Sequence, residues 1–376
     1  MPGAALAAAW LTIAGVLLSA CSFGPPKEEE AGTPPKFPTP SSKAAEEDDG
    51  ATLAAEPIVE GLQIPWGLDF LPDGAALVTE RETRNIYRIT TEFKKKKIQT
   101  IDEAYADGEG GLMGLAVSPQ YDEDKTIFIY YTTREDNRIA KLKLGEEPKP
   151  IVTGIPVSGV HNGGRLAFGP DGYLYATTGD ASDSGIAQDK KKLGGKILRM
   201  TKDGKPAKGN PFGNLVYSYG HRNSQGIAWD EKDQLYAVEF GQNTWDEVNL
   251  VEPGKNYGWP KVEGKGGSSR YVDPFMVWKP EDASCSGAAI LGDVLVTACL
   301  RGKRTYAMQL NGKGGLIGAP QQALVDEYGR LRTVVVAPDK TLWVTTSNLD
   351  GRGDPNPGDD KIIRIVLASD GGNGKT

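Results

Sequence analysis

His161-Asn-Gly-Gly-Arg-Leu-Ala-Phe-Gly-Pro-Asp-Gly-Tyr-Leu-Tyr-Ala-Thr-Thr-Gly-Asp180 reads as strand, tight turn, strand. Arg165, Leu166, Ala167 and Phe168 form a short, mainly apolar run. Pro170-Asp171-Gly172 is turn chemistry, since proline presets φ and glycine accepts φ > 0. Tyr173 to Thr178 is aromatic and β-branched, as a return strand requires. His161 stands before the first strand and Asp180 just after the second. The two ends of an antiparallel hairpin lie side by side, so this pair is expected to meet at one rim of a sheet. An imidazole beside a carboxylate is an oriented base: the carboxylate fixes the tautomer and stabilises the cation formed on proton uptake. The pair alone leaves open that each side chain only caps a loop or turn.

The same pattern recurs along the chain. Trp66-Gly-Leu-Asp-Phe-Leu-Pro-Asp-Gly-Ala-Ala-Leu-Val-Thr-Glu80 comes first. Segments 111–131, 225–239, 286–300 and 332–346 repeat the theme around the one already quoted. Each is followed by a further strand-like run, such as Lys196-Ile-Leu-Arg-Met200 or Lys361-Ile-Ile-Arg-Ile-Val366. A meander repeated at roughly 45 to 60 residues is the signature of a propeller blade. The expected fold is all-β, a six-bladed β-propeller of four-stranded antiparallel blades. The ends of its inner strands converge on an axial channel, whose mouth is the default site. His161, Gly110-Gly111, His221-Arg222-Asn223, Ser284 and Arg330 all precede inner strands, so they are expected to gather there.

Composition fits. The chain has 376 residues, with Gly 48 and Pro 25, normal for a turn-rich β fold. Its formal net charge is −7, and no basic stripe with interleaved aromatics appears, which argues against a nucleic-acid partner. Lys94 to Lys97 reads as a solvated loop or strand edge. Two histidines make a multi-histidine zinc site improbable.

The first residues read as an address. Ala4 to Leu18 is apolar and has the length of a signal-sequence core rather than a membrane span. Leu18-Ser-Ala-Cys21 follows and resembles a bacterial lipobox, in which the cysteine is lipidated; no Lys or Arg precedes it. Residues 1–21 are expected to be a lipoprotein signal, with an ordinary cleaved signal as the alternative. Residues 22–56, dense in Pro, Glu, Ala, Thr and Ser, read as a tether that cannot offset its ordering entropy. The propeller is expected over 57–368, with 369–376 as a tail. The protein is thus expected outside the cytoplasm, held on the outer face of the bacterial cell membrane by lipid on Cys21.

Cys285 and Cys299 are equally far from Gly292, at the turn of a hairpin. Opposed positions across two strands are close enough for a disulfide, and an exported protein meets an oxidising compartment. Two buried thiols are the alternative.

The mouth is chemically unusual. Gly220-His-Arg-Asn-Ser-Gln-Gly226 supplies Arg222, Asn223 and Gln225; Leu300-Arg-Gly302 supplies Arg301; Gly329-Arg-Leu-Arg332 supplies Arg330 and Arg332, which alternate onto one strand face. Four arginines in a net acidic chain imply a ligand with several carboxylates or phosphates, unless each pairs with a local acid. Asp246, Glu247 and the carbonyls around Gly241 are hard oxygen donors of the kind calcium takes.

His161-Asn-Gly-Gly-Arg-Leu166, Gly220-His-Arg-Asn-Ser-Gln-Gly226, Asn256-Tyr-Gly-Trp-Pro260 and Gly329-Arg-Leu-Arg332 together resemble the glucose/sorbosone dehydrogenase family, in family order, over about 57–366. The resemblance implies a soluble aldose sugar dehydrogenase using pyrroloquinoline quinone (PQQ) and calcium on a six-bladed propeller. It implies His161 as the base for the sugar C1 hydroxyl, Asp180 as its orienter, and oxidation to a lactone with an electron acceptor still to be identified. It places Arg222 and Asn223 on the quinone oxygens, Gln225 and Glu109 nearby, and Arg301, Arg330 and Arg332 on the cofactor carboxylates. Gly241 and Gln242 would offer carbonyls to a cofactor-linked calcium, and Glu247 and Tyr257 match a second, structural one. Three positions depart from the family. Glu109 replaces a glutamine of the glucose dehydrogenases, and a carboxylate there calls for calcium or a proton to offset it. Val160 replaces an aspartate, and Arg301 a frequent lysine. A lipid-tethered propeller that binds a ligand without catalysis is the competing reading, since fold does not decide function; a calcium-dependent lactonase is a third.

Overall fold

The computed structural model describes residues 53–367. Its first strand, β1 (Leu53–Val59), stands apart in sequence from the sheet it joins. Blade 1 then runs β2 (Pro65–Phe70), β3 (Ala76–Glu80), β4 (Asn85–Ile89) and β5 (Lys95–Thr100). Blade 2 is β6 (Leu112–Val117), β7 (Ile127–Thr132), β8 (Asn137–Leu142) and β9 (Lys149–Ile155). Blade 3 is β10 (Leu166–Phe168), β11 (Leu174–Thr178), β12 (Lys196–Met200) and β13 (Val216–Tyr219). Blade 4 is β14 (Ser224–Trp229), β15 (Leu235–Glu239), β16 (Asp246–Val251) and β17 (Met276–Trp278). Blade 5 is β18 (Cys285–Leu291), β19 (Val294–Cys299), β20 (Arg304–Gln309) and β21 (Gln321–Ala323). Blade 6 takes β22 (Leu331–Val336), β23 (Leu342–Thr346) and β24 (Ile362–Leu367) from the end of the chain and borrows β1 as its outer strand.

These are six four-stranded antiparallel sheets, as the repeats foretell. One boundary is corrected: Leu53 to Glu56, read as the end of the tether, pair with Leu367 to Arg364 and belong to the propeller. Composition suggested a tether; a partner more than three hundred residues away makes it a strand. The lipobox with Cys21, the rest of the tether and the tail 369–376 lie outside the described residues. The lysine run falls on β5, an outer strand, where charge discourages edge-to-edge pairing.

The core is distributed. Each of six buried clusters lies mainly between two adjacent blades, for example Leu77, Ile86, Leu112, Ile129 and Tyr131 between blades 1 and 2, and Val296, Ala307, Leu331 and Val344 between blades 5 and 6. Each sheet therefore buries both faces, which is why its strands read as near-continuous apolar runs.

Inner strands share a device that the sequence does not announce. In blades 1, 2, 4, 5 and 6 the register of the inner strand against its neighbour slips by one residue near its start. Such bulges bend a strand and re-aim its side chains; here they sit just below the axial mouth. Glycine allows the close approach: a Cβ on Gly114 would fall 2.0 Å from the Gly164 carbonyl oxygen, and one on Gly287 would fall 2.6 Å from the Val334 nitrogen. In blade 5 the turn is the two-residue Gly292-Asp293, and the bulge at Ser286 restores Cys285 to a place opposite Cys299. The two form a disulfide.

Candidate active site

His161 owes its position to its neighbours. Its φ is +57°, left-handed for a non-glycine residue, and Gly163 and Gly164 follow at +65° and +110°. A Cβ on Gly163 would lie 2.5 Å from Thr178 Cα, so the sequence must be glycine where the chain doubles back over blade 3. The His161 amide donates to Glu109 Oε2 at 3.0 Å. The hairpin brings the ring to Asp180 as its ends require, with Nδ1 to Oδ1 at 2.8 Å.

Asp180 is 1% exposed and fully engaged. Its Oδ1 also accepts from the Ser182 amide at 2.9 Å, and Oδ2 accepts from the Trp259 indole at 2.8 Å. Burial alone would raise its carboxyl; hydrogen bonding and charge from His161, with Ser182 and Trp259, outweigh that and hold it below the usual carboxylate range. Trp259 was missed as a site residue, although it sits inside the quoted Asn-Tyr-Gly-Trp-Pro motif. Its ring also lies under the Arg222 guanidinium, 5.5 Å from the centroid.

Arg222 reaches the opposite side of the imidazole. Its Nη2 is 2.8 Å from His161 Nε2, and Nη1 donates to the Phe240 carbonyl at 3.1 Å. Its main-chain amide is held by Glu239. Glu239 also accepts from His221 Nδ1 at 2.7 Å, and His221 Nε2 meets Ser218 Oγ at 2.8 Å. This second histidine is fully buried and stacked on Tyr257, so it braces Arg222 instead of meeting solvent.

A cavity of about 290 Å³ opens over these groups, lined by His161, Glu109, Arg222, Asn223, Gly241, Gln242, Arg301 and Arg330. Three of the four expected arginines therefore share one mouth. Arg332 sits behind Arg330, and both reach Asp350 Oδ2, at 3.4 and 2.8 Å. Asp350 is shared between two guanidiniums, which leaves net positive charge. Burial, then repulsion from Arg81, pushes Arg332 down to about 9. Gln225 lies one layer deeper and accepts from Ser286 at 2.8 Å.

Glu109 has a partner that its sequence context did not show. Arg352, on the loop after β23, donates Nη1 to Glu109 Oε1 at 2.7 Å and lines the same cavity. Neither a calcium nor a proton is needed to offset this carboxylate: against the effect of burial, Arg352 and the His161 amide hold it below its ordinary range.

The donor set suits an anionic quinone. Arg222 Nε and Asn223 Nδ2 are buried donors with no partner, and an orphaned buried donor at a cavity wall asks for a ligand acceptor. For calcium, a pocket of about 10 Å³ beside Arg222 is lined by Glu239, Glu247, Glu263, Gly241 and Tyr257, the scale of one small occupant. Burial, then repulsion from Glu239, pushes Glu247 up to about 8, the response of a carboxylate that lacks a counter-charge. Among the described residues no three acidic, cysteine or histidine side chains stand in ligating geometry, so a cation here would need main-chain carbonyls as well. The Tyr257 hydroxyl is not available, since it donates to the Leu250 carbonyl and accepts from the Glu252 amide. Asp246, the other hard donor singled out, accepts the Gly241 and Ser284 amides and ties the two loops together. Glu263 was not foreseen: its Oε1 accepts four successive amides, from Gln242 to Trp245.

A six-bladed propeller whose axial mouth joins an oriented imidazole to a cluster of guanidiniums is the frame of a sugar-oxidising class. The chain belongs to the glucose/sorbosone dehydrogenase family, whose profile matches residues 62–364. It is 47% identical to the PQQ-bound aldose sugar dehydrogenase of Streptomyces coelicolor, with a TM-score of 0.81 over 84% of this chain and 98% of that one. A putative oxidoreductase (glucose dehydrogenase) of Thermus thermophilus is 42% identical, with a TM-score of 0.78 over 84% and 100% of the two chains. An aldose sugar dehydrogenase of Escherichia coli is 28% identical over 80% of this chain and 92% of its own.

Proposed function

We propose that the protein oxidises the C1 hydroxyl of aldoses to lactones with PQQ as acceptor and calcium as a bound ion. The observation that carries this is the His161 imidazole, clamped by Asp180 at Nδ1 and facing a guanidinium-lined cavity through Nε2. PQQ, when bound, supplies a two-electron quinone acceptor for the C1 hydride.

The residues divide the work. His161 Nε2 takes the C1 hydroxyl proton as the hydride leaves, a contribution of about 10² to 10⁴ in rate. Asp180 holds the imidazole and stabilises it once protonated. Arg222 and Asn223 offer donors where charge develops on quinone oxygens. Arg301 and Arg330, with Arg332 behind, meet the carboxylates, for which guanidinium forks are suited. The carbonyls of Gly241 and Gln242 would face a cofactor-linked calcium, and Glu247 with the Tyr257 carbonyl a structural one.

The likeness to a PQQ-bound relative supports the cofactor. We further propose that the enzyme is exported and anchored through lipid on Cys21, and hands its electrons to an acceptor that follows the quinone. Cys21→Ala is expected to release the protein to the medium.

The test is reconstitution. Purified protein should oxidise aldoses to a redox dye only after PQQ and calcium are added. No turnover on any of a panel of aldoses, with the quinone demonstrably bound, would favour the non-catalytic ligand-binding propeller.

A further inference from the structure

We propose that the propeller axis carries a second ligand site, below Arg165 and on the far side from His161, which binds a small monocarboxylate with an apolar body. A cavity of about 240 Å³ lies there. It is lined by Leu68, Leu115, Leu166, Ile227, Ala288 and Val334, all on inner strands. His161 precedes its inner strand, whereas Phe168, Val117 and Asp69, at or near the opposite strand ends, line this cavity. It is therefore distinct from the mouth described above, and the proposal stands whether or not the dehydrogenase reading does.

Arg165 is the roof of this cavity and spans the channel. Its Nε donates to the Gln225 carbonyl at 2.7 Å, Nη2 to Thr333 Oγ1 at 3.1 Å, and Nη1 approaches the Trp66 carbonyl at 3.4 Å. The guanidinium also lies over the Trp66 ring, 4.3 Å from its centroid. Blades 1, 4 and 6 thus contribute to its setting, and each of these partners is neutral. A guanidinium has five N–H donors, so donors remain beyond these contacts. Buried cations are ordinarily paired; this one is 9% exposed, and its charged neighbour Arg332 repels it. Burial pushes it down to about 9, still charged at neutral pH.

The missing counter-charge and the walls define the ligand. A carboxylate would pair with Arg165, and an aliphatic or aromatic body would replace water along the apolar strands. Asp69 sets the limit on charge. It lines the cavity, and its oxygens accept the Phe70 and Val117 amides at 2.8 and 2.7 Å. A second carboxylate on the ligand would be held against this one, so dicarboxylates are disfavoured.

The probes are para-fluorobenzoate, observed by fluorine NMR, and hexanoate and adipate as competitors, at about pH 8 where Asp69 is ionised. One equivalent of para-fluorobenzoate should bind, displaced by hexanoate at least about tenfold better than by adipate, a difference of about 1.4 kcal/mol. Ala288→Phe adds bulk at a residue lining the cavity while leaving Arg165 itself unchanged, and should weaken binding by at least about tenfold, with dehydrogenase turnover unchanged. Ala167→Phe, at the rim of the same cavity, serves if the first variant melts low. Arg301→Ala, in the upper mouth, should leave binding intact. Absence of binding, binding indifferent to both cavity-filling variants, or binding abolished by Arg301→Ala would each overturn the proposal.

Discussion

Nη2 of Arg222 lies 2.8 Å from Nε2 of His161. A guanidinium nitrogen only donates, so Nε2 is the bare nitrogen and the ring proton sits on Nδ1, facing Asp180. The two neighbours therefore fix the tautomer from both sides, and the lone pair that would act as base is covered by the arginine until a substrate hydroxyl takes its place. Arg222→Met should lower kcat by about 10² to 10³ through loss of the donor at the developing charge. An unchanged kcat would mean that Arg222 does not face the reacting groups during turnover.

His161→Gln separates chemistry from binding. Because His161 touches one edge of the cavity while the guanidiniums hold the opposite charges, turnover should fall by about 10² to 10⁴. The quinone dissociation constant, measured by titration, should change by no more than about threefold. Equal losses in both would assign the residue to the fold.

Asp180→Asn tests the support. The Asp180 carboxyl is depressed in the folded protein against an ordinary value of 3.8. Its ionised form thus contributes stability that is fully present above the unfolded value and is lost as pH falls through the depressed folded one. The gap in melting temperature between parent and variant should be constant well above 3.8 and close as pH falls below it. At neutral pH the variant should lose turnover by about 10² or more as the tautomer is released. A gap that widens toward acid would contradict the depressed carboxyl.

Glu109 and Arg352 should behave as a unit. Arg352 is 59% exposed at its side chain, so the pair adds only about 0.2 to 1 kcal/mol to stability. Its effect lies in the cavity, where a bare Glu109 carboxylate would oppose an anionic cofactor. Arg352→Ala should weaken quinone binding by about threefold to tenfold, and adding Glu109→Gln should restore much of it, a coupling that a double-mutant cycle reads directly. Additive losses would mean that the two act on different steps.

The disulfide closes a span of 14 residues. Loop closure of that length is worth about 3 kcal/mol in the unfolded chain, or roughly 4 to 5 °C in melting temperature for a propeller of this size. Cys285→Ala with Cys299→Ala should lower melting by that order and make it indifferent to reductant. Parent protein should be sensitive to reductant to the same extent.

What could be read in the sequence follows from the range of the interactions. The hairpin hosting His161 and Asp180 is local: turn residues and apolar runs bring its ends together over 19 residues. The same holds for the six repeats and for the cysteine pair. Arg352 and Glu109 are 243 residues apart and come from different blades, so only the closed ring shows them side by side. Trp259 stood in a motif already noted, but its bond to Asp180 spans 79 residues and two blades. Arg165 read as the start of a strand; its role across the channel depends on where three other blades end up.

Ring closure is the longest of these dependences, and it gives the last test. β1 covers the outer edge of β24, pairing from Leu53 against Leu367 to Val59 against Ile362 with a one-residue slip between Pro57 and Val59. Removing it would expose an unpaired strand, a template for association, and would strip Val59 from the cluster shared by blades 6 and 1. A chain beginning at Leu53 should melt with the full-length protein. A chain beginning at Gly61 should melt at least about 10 °C lower, since several ladder hydrogen bonds of about 1 kcal/mol each are lost with the packing, and should self-associate. Supplying residues 53–60 as a separate peptide should recover part of the loss, because the groove along β24 is already formed. If the two shortened chains melted alike, the ring would be closed by the packing of blades 1 and 6 alone, and the boundary at residue 57 would stand.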